Sequence, residues 1–522
     1  MSLLRRHVAV RLGRPGLALA VVLAMLAPAH ALAAPPAARE AGPPEAREAD
    51  RQVLGRYAVD TWRSFVLLTD PGTGLPSDNV NASGERSRYT SPTNVATYLW
   101  STLAARDLGI VTPAAARARM GRTLRTLAGL ERHQPSGMYY NWYDPATGSK
   151  LTTWPVDGSP VYPFLSSVDN GWLGAALLMV ANAEPALRGR ARALLTGMDF
   201  GFYHDPQAGL LRGGFWVATP GTQCTVPGNY RQRGDEVLYT CHHYGSLNTE
   251  PRIASYLGIA FGQVPATHYF KLWRTFPDTC DWGWQETKPA GVTRTYLGVE
   301  VFEGHYTYRG MRIVPSWGGS MFEALMVPLL VPEAAWAPRS WGVNHPLYVR
   351  AQIEHGLAEA GYGYWGFSPS NNPSGGYREY GVDAIGLRPD GYASNNDNTL
   401  VDHGFPSCRE PQPDPPPSAY TNGVVTPHAS FLALPYARGA ALANLAKLRR
   451  DFDAYGQGGF YDAVNVDSGQ VSTFYLALDQ GMIMAAIANA TLGNRMQRYF
   501  VTGTVERSIR PLLGIETFTA GP

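Results

Sequence analysis

Carboxylates embedded among aromatic, amide and glycine residues stand out in this sequence as candidates for chemistry. Two carboxyl groups flanking an acetal can split it, one protonating the leaving oxygen and the other handling water or attacking directly. Glu250 lies in SLNTEPRIASYLGIAFGQVP (246–265). Thr249 can cap a helix there, Pro251 can start it, and Glu250 stands at its mouth. Burial would raise its pKa toward general-acid service, with Arg252 opposing the shift. The alternative is a carboxylate that only caps the helix or complements its dipole. Asp462 lies in YGQGGFYDAVN (455–465), where three glycines and two tyrosines, Tyr461 among them, fit close backbone approach and stacking. An Asx-turn is its plainer reading.

Asp169, Asn170 and Trp172 fall in the first turn of SSVDNGWLGAAL (166–177), which is apolar behind them. Ser166 or Ser167 can cap this helix, and Asp169 suits its positive end. Asp169 could also be a base, a water positioner or an acceptor for a sugar hydroxyl, with Trp172 shaping a pocket. Glu323 lies in SWGGSMFEALMVPLL (316–330), where Trp317 and the glycines can touch a ligand. Glu323 itself is either part of that contact or a buried acid paired with Arg or Tyr. Trp142 in GMYYNWYDPATG and Trp365 in WGFSPSNNPSGGYREYG offer further stacking faces. Asp397, Asp402 and His428 rank below these, since a lone histidine in a first helical turn more often serves packing. No G-x-S-x-G elbow, Walker loop, H-E-x-x-H or dinucleotide fingerprint occurs, and no Cys/His spacing suggests zinc. No metal or cofactor is expected.

Helices must position these residues. RYAVDTWRSFVLL (56–68) has apolar residues at helical spacing. Ser91-Pro92, Thr112-Pro113 and Thr426-Pro427 each pair a capping hydroxyl with a proline tolerated in the first turn, the last opening HASFLALPYARGAALANLAKL. Further helices are predicted over 166–183, 186–199, 249–262, 317–331, 347–360, 472–490 and 493–500. That makes about eleven, many apolar on most faces as inner helices of a double layer must be. Between them run loops rich in Gly, Asn, Asp and aromatics. If alternate helices run up and down, these loops gather on one rim and form a cleft.

The 522 residues include 56 Gly, 41 Pro, 13 Trp and 28 Tyr, a globular composition with long structured loops. Arg5, Arg6, Arg11 and Arg14, the apolar run 17–26 and Ala31-Leu32-Ala33 read as a secretory signal over residues 1–33. Residues 34–50 read as a flexible lead and 51–522 as one domain, with the Pro-rich stretch 410–423 a loop inside it. Without the signal, the 44 basic residues fall to 40 against 42 acidic ones. That balance argues against nucleic acid or an anionic membrane as partner. The product is expected in a periplasm or outside the cell, as a monomer. Export permits disulfides among Cys224, Cys241, Cys280 and Cys408, and Cys224–Cys241 is the most local pairing.

SVDNGWL, TEPRIASYLGIAFGQVP, SWGGSMFEALM, YGYWGFSPS, VTPHASFLAL and GGFYDAVN together resemble, in order, the glycoamylase-like domain. That domain is shared by glycoside hydrolase family 144, related endo-β-1,2-glucanases and the cyclization domain of cyclic β-1,2-glucan synthases. The likeness runs from about 56 to 490. It implies an all-α, (α/α)6 toroid with long loops and small β elements on an active-site rim. It further implies metal-free action on β-1,2-glucan. Cleavage within the chain is the expected mode, with exo action the alternative, and the separation of the two carboxyls decides between inversion, the expected outcome, and retention. The family's acid maps to Glu250, and the acids of the FYDA-type and SVDNGW-type blocks map to Asp462 and Asp169, either of which could assist the water. A transglycosylase or cyclizing enzyme of the same fold, or a noncatalytic glycan-binding protein, are the other readings. The stretch 275–310 is longer than the family pattern, and an insertion beside the cleft would alter its subsites.

Overall fold

The computed structural model describes residues 44–229, 235–275, 289–387 and 423–522. The signal-like segment 1–33, Cys280, Cys408, Asp397, Asp402 and the proline-rich loop up to residue 422 lie outside the described residues. Residues 48–522 form one compact unit. The flexible lead needs correction at its end, because a helix spans Pro44–Leu68 and takes in 44–50.

Six helices contact one another in cyclic order. Pro92–Asp107 packs on Ser167–Ala183, which packs on Arg252–Ala260. The Arg252 guanidinium then bonds the Glu323 and Ala324 carbonyls of Met321–Leu325, at 3.2 and 2.7 Å. Met321–Leu325 meets Pro427–Leu432, that helix meets Ala477–Thr491, and Ala477–Thr491 returns to Pro92–Asp107. Their sequences are apolar all round because neighbours cover every face. Small residues set the spacing: a Cβ on Gly171 would lie 2.9 Å from Ala254 Cβ, and one on Gly481 would lie 2.4 Å from Thr97 Cβ. Pro113–Gly129 and Arg188–Thr196 instead bury one stripe each against this circuit and turn arginines outward.

Capping explains two of the three Pro-led starts. Ser91 and Thr112 accept from the backbone N–H of Asn94 and Ala115. Thr426 does not cap; its hydroxyl faces the Gly366 carbonyl instead. The single helix expected after Thr426 breaks into Pro427–Leu432 and Leu434–Asp451, with Ala437 out of helical geometry. Pro435 cannot donate its i→i−4 bond, which accounts for the break. Likewise 317–331 shortens to Met321–Leu325 and a 3-10 turn, Val327–Leu329, around Pro328. A strongly amphipathic helix, Thr504–Gly514, was not anticipated.

Pure α character is also a simplification. A three-stranded antiparallel sheet, Ala290–Tyr296, Val299–Tyr308 and Met311–Ile313, fills much of the long 275–310 stretch. A four-stranded sheet pairs Phe164–Ser166, Gly214–Trp216, Val237–Thr240 and Thr225–Gly228 in that order. Cys224 and Cys241, at the ends of its last two strands, form the disulfide the spacing suggested. Among the described residues no helix is long and apolar enough to cross a membrane.

Candidate active site

Glu250 lies at the meeting point of two cavities. One, of about 850 Å³, runs past His243, Tyr244, Trp273 and Trp317. The other, of about 800 Å³, runs past Asp78, Tyr89, Trp142, Trp154, Asp169 and Tyr377. Glu250, Glu323 and Glu379 line both. The two cavities are therefore arms of one trough with a carboxylate cluster at its waist.

Local structure fixes Glu250 tightly. The chain turns at Thr249 and Glu250 before the helix Arg252–Ala260, so this carboxyl projects from a helix start. Trp172 Nε1 donates to Glu250 Oε2 at 2.5 Å from the neighbouring helix Ser167–Ala183. Ser320 caps Met321–Leu325 and places Glu323 in its first turn. Glu323 Oε2 accepts the Glu250 backbone N–H at 3.0 Å and the Thr249 hydroxyl. Thr249 thus serves Glu323 rather than capping its own helix.

Electrostatics at the waist favour a protonated Glu250. Burial first, then the negative charge of Glu323, push its pKa well above the ordinary carboxyl value; the Trp172 hydrogen bond opposes this. Burial also raises Glu323, against its bonds from Thr249 and the Glu250 amide and the charge of Arg252. The expected direct opposition of Arg252 to Glu250 does not arise. Arg252 is fully buried and turned away, gripping Glu333 at 2.8 and 3.0 Å. Glu333 in turn is held down to about 2, chiefly by Arg252 and His345 against its desolvation.

Asp169 faces the second arm. Ser166 caps its helix through the Asp169 N–H, and Thr93 Oγ1 donates to Asp169 Oδ1 at 2.6 Å. Asp78 lies in the same arm, held by Asn94 and Asn79 at 2.8 and 3.1 Å, and burial raises its pKa. Tyr89, Trp142 and Trp154 form one aromatic wall, with ring centroids 4.4 to 5.9 Å apart. Faces of this kind suit the apolar faces of pyranose rings.

The trough gathers Glu250, Asp169, Glu323, Trp142 and Trp317, and Trp172 lies behind Glu250. Five other expected site residues lie elsewhere. Asn170 is buried and bonds both backbone groups of Tyr139. Trp365 is enclosed in the core, and Tyr461 stacks on Tyr475 outside either arm. His428 and Asp462 are buried and line neither arm. Asp462 Oδ2 instead accepts the Asn371 N–H at 2.6 Å, beneath the short hairpin Ser370–Asn371/Tyr377–Arg378. Asn371, Asn372 and Tyr377 of that hairpin do line the trough.

Asp78, Tyr89, Trp154 and Glu379 were missed by sequence reasoning. All four come from irregular stretches where periodicity gives no face. Glu379 was available as the acid within the aromatic-rich loop GGYREYG.

Comparison with known proteins agrees with this architecture. Residues 56–201 match a family of unknown function, DUF3131, and residues 288–501 match the Glycoamylase family. The cyclic β-(1,2)-glucan synthase NdvB of Rhizobium meliloti is 29% identical over 344 residues, 63% of this chain but only 9% of that much longer protein. An endo-β-1,2-glucanase from Chitinophaga pinensis, solved with sophorotriose and glucose, superposes with TM-score 0.61 at 16% identity, covering 89% of this chain and 98% of that one. An endo-β-1,2-glucanase from Talaromyces funiculosus, solved with sophorose, gives TM-score 0.61 at 15% identity, covering 89% of each chain. At these identities the structural likeness shows a shared fold. Residues 288–501, the stretch that matches the Glycoamylase family, supply Glu323, Trp317 and the hairpin wall of the trough.

Proposed function

We propose that this protein is an exported glycoside hydrolase that cleaves β-1,2-glucan within the chain. The observation that carries the reading is the position of Glu250: a carboxyl biased toward its protonated form, at the waist of a trough open along two arms. Sugar units on both sides of a bond can then be held while Glu250 delivers a proton to the linking oxygen. Asp169, oriented by Thr93, takes the proton of the attacking water. The lining of the second arm, which includes Asp169 and not Asp462, supports this choice. Asp78 and Glu379 add negative charge that favours a cationic, oxocarbenium-like transition state. Inversion at the anomeric carbon is the expected outcome.

The cyclic helix order and the two glucanase structures support reading the fold as an (α/α)6 toroid with its trough on the loop rim. The glucanases' sophoro-oligosaccharides support a β-1,2 linkage. Export is supported by the signal-like N-terminus and by the Cys224–Cys241 disulfide, a bond that oxidising compartments preserve. Incubation with linear and cyclic glucans of several linkages, read by reducing ends and product mass, tests the proposal. New reducing ends with a rise of one water per cut, from β-1,2-glucan above all others, are expected. Cyclic products without added water would point to transglycosylation, and intact polymer would refute catalysis.

A further inference from the structure

His428, Asp462 and Asp479 converge beneath the hairpin wall of the trough. They come from the first turn of Pro427–Leu432, the loop after Gly459–Phe460 and the first turn of Ala477–Thr491. One ligand atom from each lies within 4.8 Å of the others. The three residues are 1%, 2% and 2% exposed. His428 Nδ1 is 3.5 Å from Asp479 Oδ2, too far for a hydrogen bond. Both ring nitrogens of His428 lack a hydrogen-bond partner among the described residues. No arginine or lysine among those residues pairs with either carboxylate. The two carboxyl groups lie within hydrogen-bond reach of each other, but the buried His428 ring has no partner at either nitrogen, which is costly unless something sits beside it.

We propose that these three side chains bind a divalent metal ion of the zinc class. One imidazole nitrogen and two carboxylate oxygens suit zinc better than calcium or magnesium, which prefer all-oxygen shells. A doubly positive ion balances the two carboxylates. Neither ring nitrogen of His428 is engaged in a hydrogen bond, so a ring lone pair is free to coordinate. Zinc at about 2.0–2.1 Å from each ligand sets them about 3.3 Å apart. The His428–Asp479 separation is already near that, and the remaining pairs need to close by about 1.5 Å at most. The site opens to neither arm of the trough, so the ion's role is structural. Asp462 would ligate through Oδ1 while Oδ2 keeps the Asn371 N–H, an outer tie that fixes the hairpin wall. The ligands come from three separate segments, which is why no spacing motif announces them.

Metal analysis of the purified full-length protein tests this without reference to glucan. After chelator treatment, zinc loading and desalting, about one zinc per chain is expected, with Tm raised by several degrees. His428→Gln and Asp479→Asn should each lose that equivalent. Cobalt loading should give visible d–d absorption in the wild type alone, a readout that stands even if a variant folds poorly. A wild type that retains no zinc, with Tm indifferent to chelator, would overturn the site in favour of a carboxyl pair sharing a proton. Equal zinc in folded variants would overturn it as well.

Discussion

Two of the buried carboxyl pairs in this molecule, Glu250–Glu323 and Asp462–Asp479, differ in what they face. Glu250 and Glu323 meet at the waist of the trough, bonded to Trp172, Thr249 and a backbone amide. Asp462 and Asp479 line neither arm, and Asp462 accepts the Asn371 amide. Burial and mutual repulsion raise Glu250 and Asp479 in the same direction. A shifted carboxyl therefore identifies no function by itself. Access to a cavity separates an acid that can reach a substrate from one that can only organise the wall around it.

The sharpest way to break this comparison is to neutralise one member of each pair. Glu250→Gln should lower turnover on β-1,2-glucan by about 10²–10⁴-fold, the usual span for a lost general acid. Calorimetry should show oligosaccharide affinity retained. Asp462→Asn should cost no more than about tenfold, since it loosens the Asn371 hairpin and the proposed metal site without touching the trough. Equal losses would put both residues in the chemistry.

A further buried carboxylate, Glu333, sharpens the contrast because it is paired with Arg252. Arg252→Met strands it, and denaturant titration should show a loss of about 3–5 kcal/mol. Glu333 is depressed to about 2 from an ordinary 4.5, so its contribution is complete above 4.5 and lost as pH falls toward 2. The variant should therefore lose less of its remaining stability on acidification than the wild type.

Glu323→Gln tests the coupling within the waist pair. Removing that charge lowers the Glu250 pKa, so Glu250 gives up its proton earlier as pH rises. The alkaline limb of kcat/KM should move to lower pH; an unmoved limb would mean that Glu250 is not the acid being read. The smallest effect belongs to the aromatic wall. Trp142→Ala should weaken oligosaccharide binding by about 0.5–1.5 kcal/mol, up to about tenfold in KM, with kcat little changed.

Legibility followed the source of each residue's position. Ser166 and Thr249-Pro251 marked two helix starts, so Asp169 and Glu250 were found there, although Thr249 serves Glu323 instead of capping; Glu323 was found through the SWGG segment beside it. Trp142 and Trp317 were found because aromatics cluster with glycines in rim loops. Trp365 and Tyr461 share that signature yet pack inward, and composition cannot tell the two faces of an irregular loop apart. Asp462 looked like a site residue for the same reason; the glycines around it serve close packing against Thr61 and Tyr475 instead. Pro328 and Pro435 carried the signal for the helix breaks, yet both stretches were read as single helices. The 290–313 sheet was not, because an insertion can be read from length without revealing its fold.

The central claim is that Glu250 meets a β-1,2 linkage at the junction of two occupied arms. A crystal structure of Glu250→Gln with a β-1,2-gluco-oligosaccharide tests it most directly. The chain should enter both arms, with one linking oxygen within hydrogen-bond reach of the side chain at position 250. A sugar confined to one arm, or bound with position 250 out of reach of every linkage, would contradict it.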